Sequence, residues 1–478
     1  MLIKDAEIYQ TGLQDVRIER GIISAMGQLE RRADELLIDA RGSALLPGLN
    51  DHHIHFLSYA ASLASIDCGT AAVKNQDQLV TLLQQQAAGA HWLRGYGYHE
   101  TVAGEIDCRW LDRYGPDRPI RIQHRSGRLW IFNSAGIAII RNALRSKEGA
   151  VSIPVDGLQS GRFYDADQQL ASLIGRRLPP VKQASEKLAS YGITGFSDMT
   201  PSNDQDAFEL FQNLKSKNTI LQQVQLARRC AFESTLAPEI TPGPVKVHLH
   251  ENRLPSLEEL VERITISHQA GVSIAVHCVT EVELMFSLAA FEEAGPISGD
   301  RIEHGSVTPE YLLDRIVESG VTVVTQPHFI LEKGDTYLSE IDVTEHQSLY
   351  RGQTFLQRKI PLAGSSDAPF GSADPWTAMR TAVARRTSSG QSLGSNEALS
   401  PEQALALFLG SLETPGKVRC IQPGMSADLC LLSCPWEIAR VRLNSHDVRL
   451  VISKGTPIFS RDQSAIRVNQ FPIAGLKP

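Results

Sequence analysis

The chain has 478 residues, 42% hydrophobic and 21% charged, with a net charge of −7 and a pI near 6.1. That composition suits a globular protein with one large core and a smaller satellite domain, and its acidic balance lacks the basic footprint of a nucleic-acid binder. No uncharged apolar run approaches the roughly 18 residues of a membrane helix, and the opening MLIKDAEIYQ carries Lys4, Asp5 and Glu7, unlike a signal or transit peptide, so a cytoplasmic protein without membrane partners is expected.

In chain order, LIKDAEIY, DVRIERGIISAMG with a turn at Arg20-Gly21, and LLIDARGSALLPG read as short strands. Next come LLPGLNDHHIHF (45–56) and a middle region in which apolar strand runs alternate with amphipathic helices, the texture of βα units. Strands are expected at IRIQH, GITGFSDM (192–199), PVKVHLH (244–250), SIAVHC (273–278), RIEHG (301–305), VTVVTQP (321–327) and PLAGSSD (361–367). Helix starts are legible between them. Ser256 and Glu259 form a capping box, and Thr308-Pro309 and Ser400-Pro401 pair an N-cap with Pro at the first helical position. After about Gly424 the chain returns to short strands in DLCLLSC, VRLVISKG and TPIFS. The segments 56–119 and 136–177 are too long for ordinary loops and read as insertions forming a cap on the barrel, packed by Trp92, Trp110 and Trp130. Seven scattered cysteines, with Cys430 and Cys434 the only close pair, read as reduced.

His53 and His55 are one residue apart, so on a strand both imidazoles face the same side and offer a bite for a divalent metal. With 14 His in the chain, chance gives roughly 0.4 such pairs, and His248/His250 repeats the spacing, so the pair alone is weak evidence. The weight comes from His277, His304 and Asp367, each at the C-terminal end of an apolar strand, the catalytic face of a (β/α)8 barrel. Lys246 lies on another such strand. Desolvation and nearby cations favour its neutral amine, which can add CO2 to give a metal-bridging carbamate; the alternative is an ion pair with Glu251 or Glu303. The acidic Glu281 and Glu283 read as a solvated helix start.

PGLNDHHIHF, WLRGYGYHE (92–100), HRSGRLWIFNSAG (124–136), GPVKVHLH, AVHCVTE, RIEHGSV, TVVTQPH, GSSDAPFGSADPW (364–376) and QPGMSADLCLL (422–432) occur in an order that resembles the amidohydrolase superfamily, in its N-substituted formamide deformylase-like branch. The resemblance implies a (β/α)8 TIM-type barrel (49–417) with a small β-sandwich from both termini (1–48 and 418–478) and an inserted cap. It implies metal held by His53, His55, His277, His304 and Asp367, bridged by a carboxylated Lys246, with Asp367 also moving the proton. One or two Zn ions are expected, with Fe, Mn or Ni as alternatives. The expected reaction is hydrolysis of a small-molecule amide, N-acyl or N-formyl C–N bond by a metal-activated water.

The alternative is a one-metal aminohydrolase acting on a heterocycle. That branch usually carries Glu three residues after the fifth-strand His, whereas Glu281 stands four after His277. His248, His250, His328 and Arg128 are expected at the substrate. Arg128 replaces an expected His, either to recognise an anionic end or to pair with Asp165 or Asp167, and His52 faces away from His53 into packing. Oligomeric state is left open, a homodimer among the options.

Overall fold

Alternating apolar residues at both ends of the chain meet in one sheet. In the computed structural model, which describes residues 1–462 apart from 10, 71, 87–91, 147–152, 176–177 and 231–239, eight strands run in the order Thr456–Ser460, Val448–Ser453, Leu429–Leu432, Ala44–Pro47, Leu2–Ile8, Gly12–Glu19, Ile22–Gly27, with Leu37–Asp39 also beside Leu2–Ile8. The termini join where Leu431 faces Leu45 and Leu429 faces Pro47, antiparallel. Ile3, Ile8, Val16, Ile18, Leu45, Leu429, Leu431, Leu450 and Ile452 form the core between. Each fully buried aliphatic contributes about 1.5–3 kcal/mol over exposure, which ties the two chain ends together. The hairpin at Arg20-Gly21 has positive φ at both residues (51° and 81°), the two-residue turn whose twist matches its strands.

Eight parallel strands make the second sheet: β1 (Leu49–Ile54), β2 (Ile193–Asp198), β3 (Gln223–Arg228), β4 (Ile240–His248), β5 (Ile274–Cys278), β6 (Arg301–His304), β7 (Thr322–Thr325) and β8 (Leu362–Gly364), each paired with the next. The ring closes beyond β8. The Asp367 N–H donates to the His53 carbonyl at 2.8 Å, and the His55 N–H to that of Ala368 at 2.9 Å. Helices follow the strands, among them Gln205–Ser216, Leu257–Gln269, Glu281–Ala294, Leu313–Ser319, Phe329–Glu340 and Pro375–Ala384. The fold is a (β/α)8 barrel with a small β-sandwich domain built from both termini and an inserted α/β unit.

The capping signals act as read at Ser256–Glu259 and at Ser400, which adds a second box with Gln403. Thr308 is not a cap: its hydroxyl donates to the Gly305 carbonyl at 3.0 Å, and the chain enters Leu313–Ser319 through a short 3-10 turn. Glu283 is buried, not solvated, because it closes a capping box on Thr280 and also accepts the Glu251 N–H.

Two expectations about barrel strands change. β3 is a strand that the apolar pattern missed, since its buried Gln225 is satisfied by the Ser197 hydroxyl at 2.9 Å rather than by apolar contact. IRIQH is a strand, but not of the barrel. It is Ile120–His124, in a five-stranded sheet ordered Arg162–Tyr164, Leu129–Phe132, Ile120–His124, Leu93–Tyr98, Ile66–Asp67. That sheet belongs to a compact unit spanning Leu57–Val181. Its alternation feeds two cores, with Leu93, Ile120, Ile122, Leu129 and Ile131 on one face and Trp130, Phe132 and Phe163 on the other. Trp110 packs against the first core and Trp92 against the second.

Candidate metal centre

β1 carries His53 and then His55 to the strand-end face, β4 carries Lys246 and His248, β5 His277 and β6 His304, and the turn after β8 brings Asp367. Ladder register aligns them: Lys246 stands opposite Ala275, His248 opposite His277, and His277 opposite Glu303. Glu303 and His304 are neighbours that a regular strand would send to opposite faces. His304 instead has a φ of 75°, which breaks the alternation, so both reach the site. Asp367 is likewise held at a φ of 51°. Non-glycine residues in this region are uncommon and concentrate where function sets the conformation.

The imidazoles form a row, with ring centroids 5.4 Å apart for His53–His55, 4.9 Å for His53–His304, 4.4 Å for His277–His304, 4.2 Å for His248–His277 and 4.4 Å for His248–His250. Three of them are oriented through Nδ1. His53 Nδ1 lies 2.5 Å from Glu303 Oε2, His55 Nδ1 3.2 Å from Thr200 Oγ1, and His304 Nδ1 2.8 Å from Gln326 Oε1. The Glu303 carboxylate and Gln326 Oε1 only accept, so His53 and His304 carry the proton on Nδ1 and keep the Nε2 lone pair for a ligand, whereas the Thr200 hydroxyl positions the His55 ring. Burial, with the Lys246 charge beside it, pushes the His53 pKa down to about 3, and burial also lowers those of His277 and His304. All three are neutral imidazoles at physiological pH.

Asp367 Oδ1 stands 3.5 Å from His53 Nε2 and 3.4 Å from His55 Nε2. Burial alone would raise the Asp367 pKa, but the hydrogen bond to His55 and the surrounding imidazoles outweigh it, so the carboxylate is ionised. Ligand atoms bound at about 2.0–2.1 Å to one tetrahedral ion stand about 3.4 Å apart, so these separations fit a shared cation. Ligand atoms of His53, His304 and Asp367 all lie within 4.8 Å of one another.

Lys246 is buried and its Nζ has no hydrogen-bond partner among the described residues. Burial lowers its pKa to about 8 although the Glu303 charge opposes the shift. The alternative of an ion pair with Glu251 or Glu303 is not what the structure holds. Glu303 pairs with Arg301 Nε at 2.5 Å and with His53. Neutral imidazoles, one carboxylate and an unpartnered buried amine suit divalent metal.

The remaining candidates separate. His248 and His250 are exposed at the end of the imidazole row. His328 is completely buried, its Nε2 3.0 Å from the Ser366 carbonyl, so it braces the turn carrying Asp367 and presents no surface to a ligand. His52 is buried, and neither ring nitrogen has a hydrogen-bond partner among the described residues. Arg128 does not follow a barrel strand. It lies in the turn between Ile120–His124 and Leu129–Phe132 of the inserted unit, where Asp165 takes its fork (Nε to Oδ1 2.7 Å, Nη2 to Oδ2 2.5 Å). A second cluster, His99, Glu100 and His124, also lies in that unit. There the Thr101 and Ser126 N–H groups point at Nδ1 of His99 and His124 at 3.3 and 3.1 Å, which leaves Nε2 as a proton donor toward Glu100 rather than a ligand.

Sequence reading missed the groups that aim the imidazoles. Glu303 and Arg301 could have been found as charges inside an apolar strand, whereas nothing local marks Thr200 or Gln326.

The chain matches the amidohydrolase family over residues 36–459. It is 22% identical to the YtcJ amidohydrolase of Bacillus subtilis (strain 168), covering 93% of this chain and 96% of that protein. It is 21% identical to the N-substituted formamide deformylase of Arthrobacter pascens, over 83% of this chain and 84% of the other. Among solved structures, a metal-dependent hydrolase from Pyrococcus horikoshii OT3 superposes with a TM-score of 0.73 at 19% identity, over 90% of this chain and 97% of its own. With the family match spanning most of the chain and the strand-end imidazoles and carboxylate in place, this protein belongs to the amidohydrolase family of metal-dependent hydrolases.

Proposed function

We propose that this protein hydrolyses the non-peptide C–N bond of a small amide, releasing a formyl or other acyl group from an amine. The observation that carries the reading is the convergence of the His53 and His55 Nε2 atoms on Asp367 Oδ1, beside a buried Lys246 amine without a hydrogen-bond partner among the described residues. His53, His55, His277, His304 and Asp367 would hold divalent metal, one or two ions of zinc or a similar cation, and Lys246 as a carbamate would supply two bridging oxygens. Metal bound there supplies Lewis acidity, which lowers the pKa of water and polarises the substrate carbonyl.

The chain's own groups do the rest. Asp367 is ionised and takes a proton from the attacking water, then delivers it to the leaving nitrogen. Glu303 and Gln326 keep His53 and His304 in the ligating tautomer, and Thr200 positions the His55 ring. His248 and His250, exposed at the end of the row, face the substrate. The amide reading is favoured over deamination of a heterocycle by Glu281, whose carboxylate accepts from the Tyr311 hydroxyl, and by Glu283, which is spent on capping. Neither is placed as a proton shuttle.

Purified protein reconstituted with zinc or manganese and offered matched N-formyl amines, N-acyl amines and aminoheterocycles decides the matter. Release of carboxylic acid and amine is expected. Ammonia from the heterocycles, with no acid released from the amides, overturns the assignment.

A further inference from the structure

On the sheet of the inserted unit, Arg94 and Arg121 are direct partners across a parallel ladder. Both lie against tryptophan. Arg94 Cζ is 5.6 Å from the Trp130 ring centroid, and Arg121 Cζ is 5.5 Å from the same ring and 5.7 Å from that of Trp92. Nε and Nη1 of Arg94 and Nε of Arg121 are buried without a hydrogen-bond partner among the described residues. Both residues are mostly buried but keep partial exposure, and Arg94 Nη2 and the two Nη atoms of Arg121 are not among the enclosed atoms.

Among the described residues no carboxylate pairs with either arginine. Asp167 accepts from the Trp130 indole Nε1 at 2.7 Å and pairs with neither arginine, and Asp165 is taken by Arg128. Like charges directly opposed across a ladder destabilise it, and a desolvated charge left unpaired costs more than the pair it lacks. Burial, and then the Arg121 charge, lowers the Arg94 pKa to about 10, and burial lowers that of Arg121. Both groups therefore stay cationic at neutral pH, and deprotonation does not relieve the repulsion. The tryptophan rings beside both guanidiniums offer them no acceptor. Two guanidiniums on residues paired across one ladder can share the oxygens of a single phosphate or carboxylate.

We propose that Arg94 and Arg121, with the Trp92 and Trp130 rings as walls, form a binding site for a small oxyanion, a phosphate or carboxylate group, distinct from the metal-ligand cluster. An anion on the reachable Nη atoms cancels the repulsion.

The full chain is titrated calorimetrically with inorganic phosphate and separately with acetate, at ionic strength held constant with chloride, while tryptophan fluorescence is followed. Saturable binding of one anion per chain is expected, with a fluorescence change, and the tighter arm identifies the group. Arg94→Gln and Arg121→Gln should each weaken binding at least about tenfold, the worth of a lost charge-assisted hydrogen bond. Arg94→Lys and Arg121→Lys, which keep charge and stem but lose the fork, should also weaken it and guard against misfolding of the glutamine variants. Arg141→Gln, an exposed arginine of the same unit bonded to the Leu158 carbonyl, should not. Absence of saturable binding of either anion, or binding unchanged in the arginine-pair variants, overturns the proposal.

Discussion

Replacing Glu303 with glutamine tests whether this carboxylate builds the metal centre. Glu303 is fully buried and serves two groups at 2.5 Å, His53 Nδ1 and Arg301 Nε. A carboxamide keeps one acceptor oxygen and turns an NH2 toward the other partner, so either His53 or Arg301 loses its acceptor. Arg301 is itself 2% exposed, and removing one partner of such a buried pair costs about 3–5 kcal/mol, a large share of the roughly 5–15 kcal/mol that holds a domain folded. The surviving bond from Arg301 Nη2 to the His52 carbonyl, 2.6 Å, argues for the lower end of that range. Loss of the His53 anchor should separately weaken metal binding by about 10–100-fold, or about 1.4–2.7 kcal/mol. The two effects separate by assay. Melting in excess chelator reads the ion pair alone, and metal retention against graded chelator reads His53. A variant with unchanged melting and unchanged metal retention would refute the claim that Glu303 orients the ligand.

Lys246→Ala should lose metal and most activity, with partial rescue by short carboxylic acids; in the parent protein, labelled bicarbonate should give a carbamate carbon signal, and its absence from fully metallated protein would exclude carboxylation. Asp367→Asn should keep at least one metal but lose about 10²–10⁴-fold in turnover, and near-normal turnover would remove its proton-transfer role. Gly371→Ala should slow catalysis and lower the melting temperature, because a Cβ there would meet His328 Nε2 at 2.4 Å and a Phe329 ring carbon at 2.5 Å, displacing the turn that carries Asp367. Arg128→Ala should leave the melting temperature almost unchanged, since an exposed ion pair is worth little, and should change kinetics on anionic and neutral amides equally; a loss confined to anionic amides would restore a substrate contact.

What the sequence determined by itself was local. His53 and His55 share a face because strand side chains alternate, and Ser256 and Ser400 start helices because their hydroxyls reach an N–H three residues on. Arg20-Gly21 turns a hairpin because both residues adopt positive φ. Each rests on interactions spanning a few residues, so the residues are their own evidence. Tertiary structure decided the rest. IRIQH reads as a strand anywhere, but only competition among distant partners assigned it to the inserted sheet, and with it moved Arg128 from an expected catalytic face to a hairpin paired with Asp165. Gln223–Arg228 was hidden because Gln225 is satisfied by a hydroxyl on the neighbouring strand, a partner 28 residues away. Glu303 and His304 meet in one site only because β6 ends in a left-handed residue held by its surroundings, and Arg94 meets Arg121 only through ladder register. Pairing, register and strain are set by which distant segments fit together, and a single sequence carries that information only through the folded whole.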